Sequence, residues 1–204
     1  MQDQLEICRR WAHGRQFQAG LQVLLGITGA DAAATSLAAI AEVVIGSLLP
    51  AADRWLVGQH GRVPGGAFVV LGLGKLGGHE LTVGSDLDLV FVYDAADGAM
   101  SDGARQLSAA TYYARLGQRL VSALTAKTAE GQLYEIDMRL RPSGNAGPVA
   151  TTLDNFTRYH ADSAQTWEQQ AQTRARVVAG DPGLAQRVED AIWANLARPR
   201  EALA

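Results

Sequence analysis

Apolar residues in the first sixty positions recur every three or four residues, which is the spacing of one face of an α-helix. Gly26 and Gly29 interrupt this pattern and separate two helices, with Asp31 as the expected N-cap of the second. Pro50 marks an expected bend or boundary in that second helix. We therefore predict an N-terminal helical hairpin. Its apolar stripes are Leu5, Cys8, Ala12, Phe17, Leu21 and Leu24 in the first helix and Leu37, Ile40, Ala41, Val44 and Leu48 in the second.

Residues 58–66 separate this hairpin from the rest of the chain. The segment contains several glycines and Pro64, a composition typical of a linker. We accordingly expect a helical lead-in over residues 1–60 and a second unit over residues 61–204. The chain has 204 residues, 48% of them hydrophobic and 19% charged, so it is long and apolar enough to bury a sizeable core.

The pattern after residue 66 is that of strands mixed with helices. Residues 67–71 form a short, continuous apolar run between glycines, which is typical of a buried strand. Residues 87–93 predict a second strand because branched and aromatic side chains are frequent there. A loop is expected over residues 94–103 and a helix over residues 104–127. The buried face of that helix would consist of Tyr112, Leu116, Leu120 and Ala123.

Residues 132–141 alternate between apolar and charged side chains, which predicts a half-exposed strand that Pro142 ends. Its charged face would consist of Glu135, Asp137, Arg139 and Arg141. The remainder is expected to be mostly helical, with breaks near His160 and at residues 180–182. Within residues 165–178 we expect a helical stripe in the core, made of Trp167, Ala171, Ala175 and Val178. Together these elements predict a mixed α/β (α+β) domain.

Composition and charge exclude several classes of protein. The net charge of −3 gives no general attraction to nucleic acid or to an anionic membrane. Cys8 is the single cysteine, so an internal disulfide and a thiolate zinc cluster are both excluded. Polar residues interrupt the apolar stretch at residues 30–50, and the first ten residues lack an apolar signal core. We expect a soluble, cytoplasmic protein with no nucleic-acid or membrane partner.

The strongest chemical signal combines a glycine turn with three carboxylates. The turn at residues 72–78 follows the first strand, and Asp86 and Asp88 enter the second. Residues two apart on a strand share a face, so these two carboxylates project together and repel each other unless a cation lies between them. Asp137 adds a third carboxylate from the later strand. Magnesium suits such a site because it combines a few carboxylates with water and phosphate oxygens.

Other interpretations of the same residues remain open. An Asp-x-Asp at a strand start is often a solvated turn, and Asp137 could pair with Arg139 or Arg141. The spacing of Gly72, Gly74 and Gly77, with Asp94 about 20 residues further on, also matches a dinucleotide-binding fingerprint. However, only residues 78–84 remain for a crossover helix, which is too short. A P-loop is excluded, because Leu76 stands where that motif needs Ser or Thr.

Several cations could neutralise a triphosphate. Arginine binds phosphate oxygens through two parallel N–H groups, and each candidate could equally form a structural ion pair. The four histidines show no metal-ligand spacing. The candidates are Lys75, Arg139, Arg141, Arg174 and Arg176.

Three long motifs resemble the bacterial bifunctional glutamine synthetase adenylyltransferase/adenylyl-removing enzymes. They are residues 72–81 (GLGKLGGHEL), 84–89 (GSDLDL) and 134–144 (YEIDMRLRPSG), with 166–168 (TWE) and 174–178 (RARVV) as extensions. That family has two homologous nucleotidyltransferase halves, and the turn after Arg141 is more similar to the C-terminal, adenylylating half. Gln172 departs from the family, which usually has an apolar residue there, and we interpret it as a local surface difference. Because the chain stops at Ala204, we expect it to be a fragment of a longer enzyme.

The resemblance implies a DNA polymerase β-like core with a mixed sheet. The implied reaction transfers AMP from ATP to a tyrosine hydroxyl of glutamine synthetase, releases pyrophosphate and depends on Mg²⁺. A PII-type signalling protein and glutamine would regulate it. The implied metal-binding and catalytic residues are Asp86, Asp88 and Asp137, and the nucleotide would contact Gly74, Lys75, Gly84, Ser85, Arg139 and Arg141.

Three alternatives to this function stay open at this point. An adenylyl-removing half would use the same core with phosphate as the acceptor. A dinucleotide-binding oxidoreductase would respond to NAD without magnesium. A regulatory module would bind ATP or a protein partner and transfer nothing.

Overall fold

The computed structural model describes residues 2–128 and 131–198. The helical hairpin is confirmed: α1 (Gln2–Leu24) packs against α2 (Ala30–His60). The N-cap of α2 is Gly29, and Asp31 lies in the first turn, where its charge favours the helix dipole. The predicted end of the second unit at Ala204 lies outside the described residues.

The expectation of a bend or boundary at Pro50 is wrong, because α2 continues through this residue. Pro50 itself is exposed, whereas Leu48 and Leu49 before it and Ala51 and Ala52 after it are buried. Burial on both sides of the proline therefore holds the helix together despite the missing backbone donor.

Helix α2 belongs to the core of the protein. By length and a mean hydropathy of 1.9 it is the one helix among the described residues that could cross a membrane, so the polar interruptions noted above do not by themselves exclude a span. Half of its most apolar stretch is buried, and its side chains join a cluster with the sheet and with α4 (Ala109–Thr125). Such burial is typical of a helix in the hydrophobic core of a protein.

Five strands within the described residues form one mixed sheet. They are β1 (Ala67–Gly72), β2 (Leu87–Asp94), β3 (Ile136–Asp137), β4 (Ala150–Thr152) and β5 (Arg176–Gly180). The order is β3-β2-β1-β5, and β4 also pairs with β2. β1 is antiparallel to β2 and β5, whereas β3 and β4 are both parallel to β2.

The antiparallel pairing of β1 and β2 rules out the dinucleotide-binding interpretation. That fold requires two parallel strands joined by a crossover helix. Here the connection contains only the four-residue helix α3 (Gly74–Gly77). Asp94, the expected ribose ligand, instead forms an ion pair with Arg187.

The strand predicted over residues 132–141 is reduced to Ile136 and Asp137, which pair with Leu87 and Asp88. The reason is local. The backbone N–H of Arg139 donates to Asp137 Oδ1 at 2.8 Å, so a side chain takes a donor that a longer strand would use in its ladder. The chain then leaves the sheet and returns as β4.

The later helices also differ from the prediction. α4 begins at Ala109, five residues later than expected, because the side chain of Ser108 caps it. After α5 (Leu153–Asp162) and α6 (Thr166–Ala171), a 3₁₀ turn leads directly into β5. The helical core stripe over residues 165–178 is therefore wrong, and Trp167 is 55% exposed. α7 (Pro182–Leu196) begins at the predicted break, and Asp181 caps it.

Helices cover both faces of the sheet. One face carries Leu87, Leu89 and Phe91 of β2 against α1, α2 and α4. The other carries Val90 and Val92 against α5 and α7. Side chains alternate along a strand, so Asp88 faces the same side as Val90 and lies at the end of the sheet where these helices leave it accessible.

Candidate active site

The three predicted carboxylates meet at the start of β2. Asp88 lies opposite Asp137 in the parallel pairing of β2 and β3, and Asp86 directly precedes β2. Two backbone hydrogen bonds fix this end of the strand. Leu73 N–H donates to the carbonyl oxygen of Asp88 at 3.0 Å, and Leu87 N–H donates to that of Glu135 at 2.9 Å.

Burial and neighbouring negative charges both disfavour ionisation of Asp88. Burial raises the pKa of its carboxyl group, and the charges of Asp86 and Asp137 raise it further. Arg139 and Lys75 oppose this increase without cancelling it. A cation at this position would therefore relieve an existing repulsion.

Asp137 is held by Arg139. The Arg139 side chain donates to Asp137 Oδ2 from Nε at 2.7 Å, and its Nη2 lies 2.5 Å from the same oxygen. These bonds lower the pKa of the Asp137 carboxyl group. Arg139 itself is exposed, so a ligand can reach the pair from solvent.

The glycine turn approaches Asp88 directly. Gly74 has φ +52°, and a Cβ built there would lie 2.2 Å from Asp88 Oδ2. A Cβ at Gly77 would lie 1.7 Å from the carbonyl oxygen of Arg174. Gly74 thus keeps the carboxylate accessible, whereas Gly77 allows close packing against the segment before β5.

Lys75 and Ser85 face each other across the site. Lys75 Nζ donates to Ser85 Oγ at 3.4 Å, and Ser85 Oγ also accepts from Thr82 N–H at 3.2 Å. Lys75 lies close enough to Asp88 to lower the pKa of that carboxyl group. Gly84 precedes Ser85 with φ +78° and open space around its Cα. The turn before β2 therefore brings Lys75 and Ser85 to the carboxylates.

Arg141 is directed at its own turn. Nη1 donates to the carbonyl oxygen of Met138 at 2.8 Å, and Nε donates to that of Gly147 at 3.4 Å. These contacts stabilise the loop between β3 and β4, in which Ser143 adopts a left-handed conformation at φ +64°. A role of Arg141 in binding phosphate stays a prediction.

A buried group that the sequence patterns did not single out supports this loop. Glu168, 5% exposed, accepts from Tyr159 Oη at 2.8 Å and from Gln165 N–H at 2.7 Å. The backbone of Ser143 lies close enough to the Tyr159 hydroxyl to lower its pKa, against the larger increase that burial causes. The family motif at residues 166–168 contains Glu168, but the sequence does not show that its carboxylate is buried, because this depends on its partners in the fold.

The remaining predicted cations contact protein groups. Arg174 forms an exposed ion pair with Glu80, at 2.7 Å. Arg176 binds Glu42 and two backbone carbonyl oxygens of the glycine turn.

Gln172 is not a surface difference, because it is 2% exposed. Asn195 Nδ2 donates to Gln172 Oε1 at 2.5 Å. A polar residue fits this buried position since α7 supplies a polar partner.

The donor set fits a divalent cation of the magnesium type. Asp86 and Asp137 lie near enough to Asp88 for their charges to raise the pKa of its carboxyl group, and oxygen ligands of this kind suit magnesium. Within residues 2–128 and 131–198, no three His, Cys, Asp or Glu side chains form a ready ligand cluster. In this structure Asp137 is instead paired with Arg139.

The chain also matches a known protein family and several curated proteins. Residues 2–191 match the model of the family described as Glutamate-ammonia ligase adenylyltransferase. The chain is 45% identical over 97% of its length to the bifunctional glutamine synthetase adenylyltransferase/adenylyl-removing enzyme of Mesorhizobium japonicum. It is 46% identical over 94% of its length to the corresponding protein of Rhizobium meliloti and 44% identical over 97% to that of Brucella suis. In each case the match covers 20% of the relative, so the chain spans about a fifth of the length of these curated relatives.

Proposed function

Since this chain belongs to the glutamate-ammonia ligase adenylyltransferase family, we propose that it is a nucleotidyltransferase domain that transfers AMP from ATP to a tyrosine hydroxyl of glutamine synthetase. The observation that carries the proposal is the position of Asp88, with Asp86 and Asp137 beside it and the glycine turn in contact with it. In the reaction, the tyrosine hydroxyl loses its proton and its oxygen bonds to the α-phosphorus of ATP. The bond between the α-phosphorus and the oxygen that bridges to the β-phosphorus breaks, and pyrophosphate leaves with that oxygen.

Each site residue has a defined task in this proposal. Asp86, Asp88 and Asp137 would hold Mg²⁺, which supplies charge neutralisation of the phosphates and a lowered pKa of a coordinated hydroxyl group. Lys75 and Arg139 bring positive charge toward the phosphates. Gly74, Gly84 and Ser85 offer backbone and hydroxyl contacts, and Arg141 keeps the adjacent loop in place.

A second candidate reaction uses the same site. The relatives are named as both adenylyltransferase and adenylyl-removing enzymes. The removing reaction would transfer the AMP group from the modified tyrosine to phosphate. Product analysis separates the two, because the first yields pyrophosphate and the second yields ADP. We place the protein in the cytoplasm, where glutamine synthetase and a PII-type signalling protein would be its partners.

Nucleotide binding is the first test. A ligand that binds only the native state raises the melting temperature, so ATP with Mg²⁺ should stabilise the chain. The double variant Asp86→Asn/Asp88→Asn should lose this shift. Asp97→Asn, an exposed aspartate in the loop after β2, serves as the matched control and should retain it.

Transfer is the second test. Incubation with glutamine synthetase and ATP labelled in the adenine ring should place label on the acceptor and release pyrophosphate. A stabilising shift that is the same with and without Mg²⁺, or one that persists in the double variant, would refute the metal-dependent nucleotide site.

A further inference from the structure

Arg176 holds the far end of the glycine turn. It lies at the start of β5, and its Nε donates to the carbonyl oxygen of Gly77 at 3.0 Å. Its Nη2 donates to the carbonyl oxygen of Leu76 at 3.1 Å. The last carbonyls of a helix lack partners within the helix, and a helix of four residues cannot hold its shape alone. One guanidinium group therefore satisfies the exposed end of α3.

Glu42 completes this contact from the helical hairpin. The carboxylate of Glu42 on α2 accepts from Nη2 of Arg176, and both side chains are about three-quarters buried. His79, which follows the turn at φ +56°, places Nδ1 3.9 Å from the same carboxylate. The carboxylate of Glu42 thus links the hairpin to the turn that carries Gly74 and Lys75.

The geometry of this turn decides where Lys75 lies. Gly77 has no room to move toward β5, because its Cα packs against the carbonyl oxygen of Arg174. Gly74 has no room to move toward β2, because Asp88 Oδ2 lies directly beside its Cα. Lys75 is located between these two fixed points and reaches Ser85.

We propose that Glu42 and Arg176 are positioning residues, which hold the glycine turn so that Gly74 and Lys75 stay aligned with Asp88 for nucleotide binding. This inference rests on the proposed function for its effect on ATP. It assigns Arg176 to the backbone of the turn, whereas the sequence alone offered it as a direct phosphate ligand. All three of the contacts given above for its guanidinium group are to protein oxygens.

The test compares Arg176→Gln, Arg176→Lys, Glu42→Gln and the double variant Glu42→Gln/Arg176→Gln in the whole chain. Arg187→Gln is the matched control, since it removes a different arginine–carboxylate ion pair, with Asp94 at the other end of β2. Two quantities are measured: amide hydrogen exchange over residues 73–80 in the free protein, and the dissociation constant for ATP with Mg²⁺. Melting temperatures show that each variant is folded.

Hydrogen exchange reports on the turn without any ligand. Three of its backbone hydrogen bonds are Gly77 to Leu73, Gly78 to Gly74 and Glu80 to Lys75. We expect both Arg176→Gln and Glu42→Gln to accelerate exchange at these amides by about tenfold, and Arg187→Gln to leave them unchanged. Unchanged exchange in either positioning variant would overturn the proposal, whether or not the protein binds ATP.

ATP affinity reports on the consequence of the turn's position. Arg176→Gln should weaken binding by about tenfold and Glu42→Gln by about three- to fivefold. The double variant should be no weaker than Arg176→Gln by more than about twofold, because both residues act through one contact. Arg176→Lys should recover part of the loss, since an ammonium group reaches fewer of the three acceptors.

Besides unchanged exchange, two results would contradict positioning. If Glu42→Gln keeps wild-type affinity while Arg176→Gln loses it, Arg176 acts on the nucleotide directly. If both variants lower only the melting temperature, their role is structural. Absence of ATP binding in the wild-type chain would refute the proposed function instead, and the exchange measurement would then decide the positioning role by itself.

Discussion

Asp88 and Asp137 lie opposite each other on the parallel strands β2 and β3, yet the pKa values of their carboxyl groups are shifted in opposite directions. Burial and two neighbouring carboxylates raise the pKa of Asp88. Hydrogen bonds from Arg139 lower that of Asp137. The same end of the sheet therefore contains one carboxylate that is already neutralised and one that still needs a cation.

Removal of the charge at Asp88 should stabilise the free protein. A carboxyl group with a raised pKa in the folded state contributes stability at low pH and loses it as the pH rises through that value. Asp88→Asn should therefore raise the melting temperature at pH 7 by about 2–4 °C in the absence of divalent cations. It should also abolish the stabilisation that Mg²⁺ gives to the wild type. Thermal scans at pH 4 and pH 7, with and without Mg²⁺, check both effects.

A lower melting temperature for Asp88→Asn at pH 7 would contradict this account. Asp97→Asn is the control, because that aspartate is exposed in the loop after β2 and the variant should keep the stabilisation that Mg²⁺ gives to the wild type.

Gly77→Ala should destabilise the fold strongly. The added Cβ would lie 1.7 Å from the carbonyl oxygen of Arg174, so backbone must shift on one side or the other. We expect a loss of about 3 kcal/mol or more in the free energy of unfolding. Gly14→Ala is the comparison, since it lies in α1 with no atom near its Cβ position, and it should stabilise by up to about 1 kcal/mol. Urea denaturation measures the free energy of unfolding of both variants. Equal changes would show that the close contact between Gly77 and Arg174 does not restrict the residue at position 77.

Glu168→Ala should destabilise the protein more than Tyr159→Phe. The alanine leaves the Tyr159 hydroxyl and the Gln165 N–H without the acceptor that Glu168 provides from a buried position. We expect a cost of about 3 kcal/mol for Glu168→Ala and about 1 kcal/mol for Tyr159→Phe. Chemical denaturation provides the values, with Glu6→Ala on the exposed side of α1 as control. Similar costs for Glu168→Ala and Glu6→Ala would mean that the buried hydrogen bonds contribute little.

His160 should make the protein less stable in acid. Burial lowers its pKa to about 4, so the unfolded chain binds a proton below about pH 6.5 while the folded chain does not. Stability should fall between about pH 6.5 and pH 4 by an amount on the order of 3 kcal/mol and change little below that range through this group. His160→Gln should flatten the profile in this window, as followed by urea denaturation at each pH. An unaltered slope in the variant would assign the acid sensitivity to other groups.

The strands β1 and β2 and the three carboxylates of the site could be predicted from the sequence. A continuous apolar run between glycines has few alternatives to a buried strand, and β1 and β2 lie where residues 67–71 and 87–93 predicted them. Asp86 and Asp88 belong to one strand start, so their proximity follows from local spacing. The long motifs also identified the family, which the comparisons confirm.

Elements that depend on distant partners could not be predicted. β5 forms because residues Arg176–Gly180 pair with the free edge of β1. The sequence of this segment does not reveal that such an edge is available to it. β3 is short because Asp137 captures the N–H of Arg139, although the alternation around it is typical of a longer strand. The helix through Pro50 continues because neighbouring residues are buried by other elements.

The sequence by itself determined which residues make up the candidate site, because the carboxylates, the glycine turn and the strand start that carries Asp86 and Asp88 are encoded over short distances. Only the tertiary structure decided how that chemistry is arranged: Arg139 on Asp137, Arg176 on the backbone of the turn with Glu42, and Glu168 beneath the loop after β3. The partners in each of the last two contacts come from different elements. An arginine or a glutamate has the same local sequence signature whether it faces a phosphate, a carbonyl group or water, and folding selects between these partners.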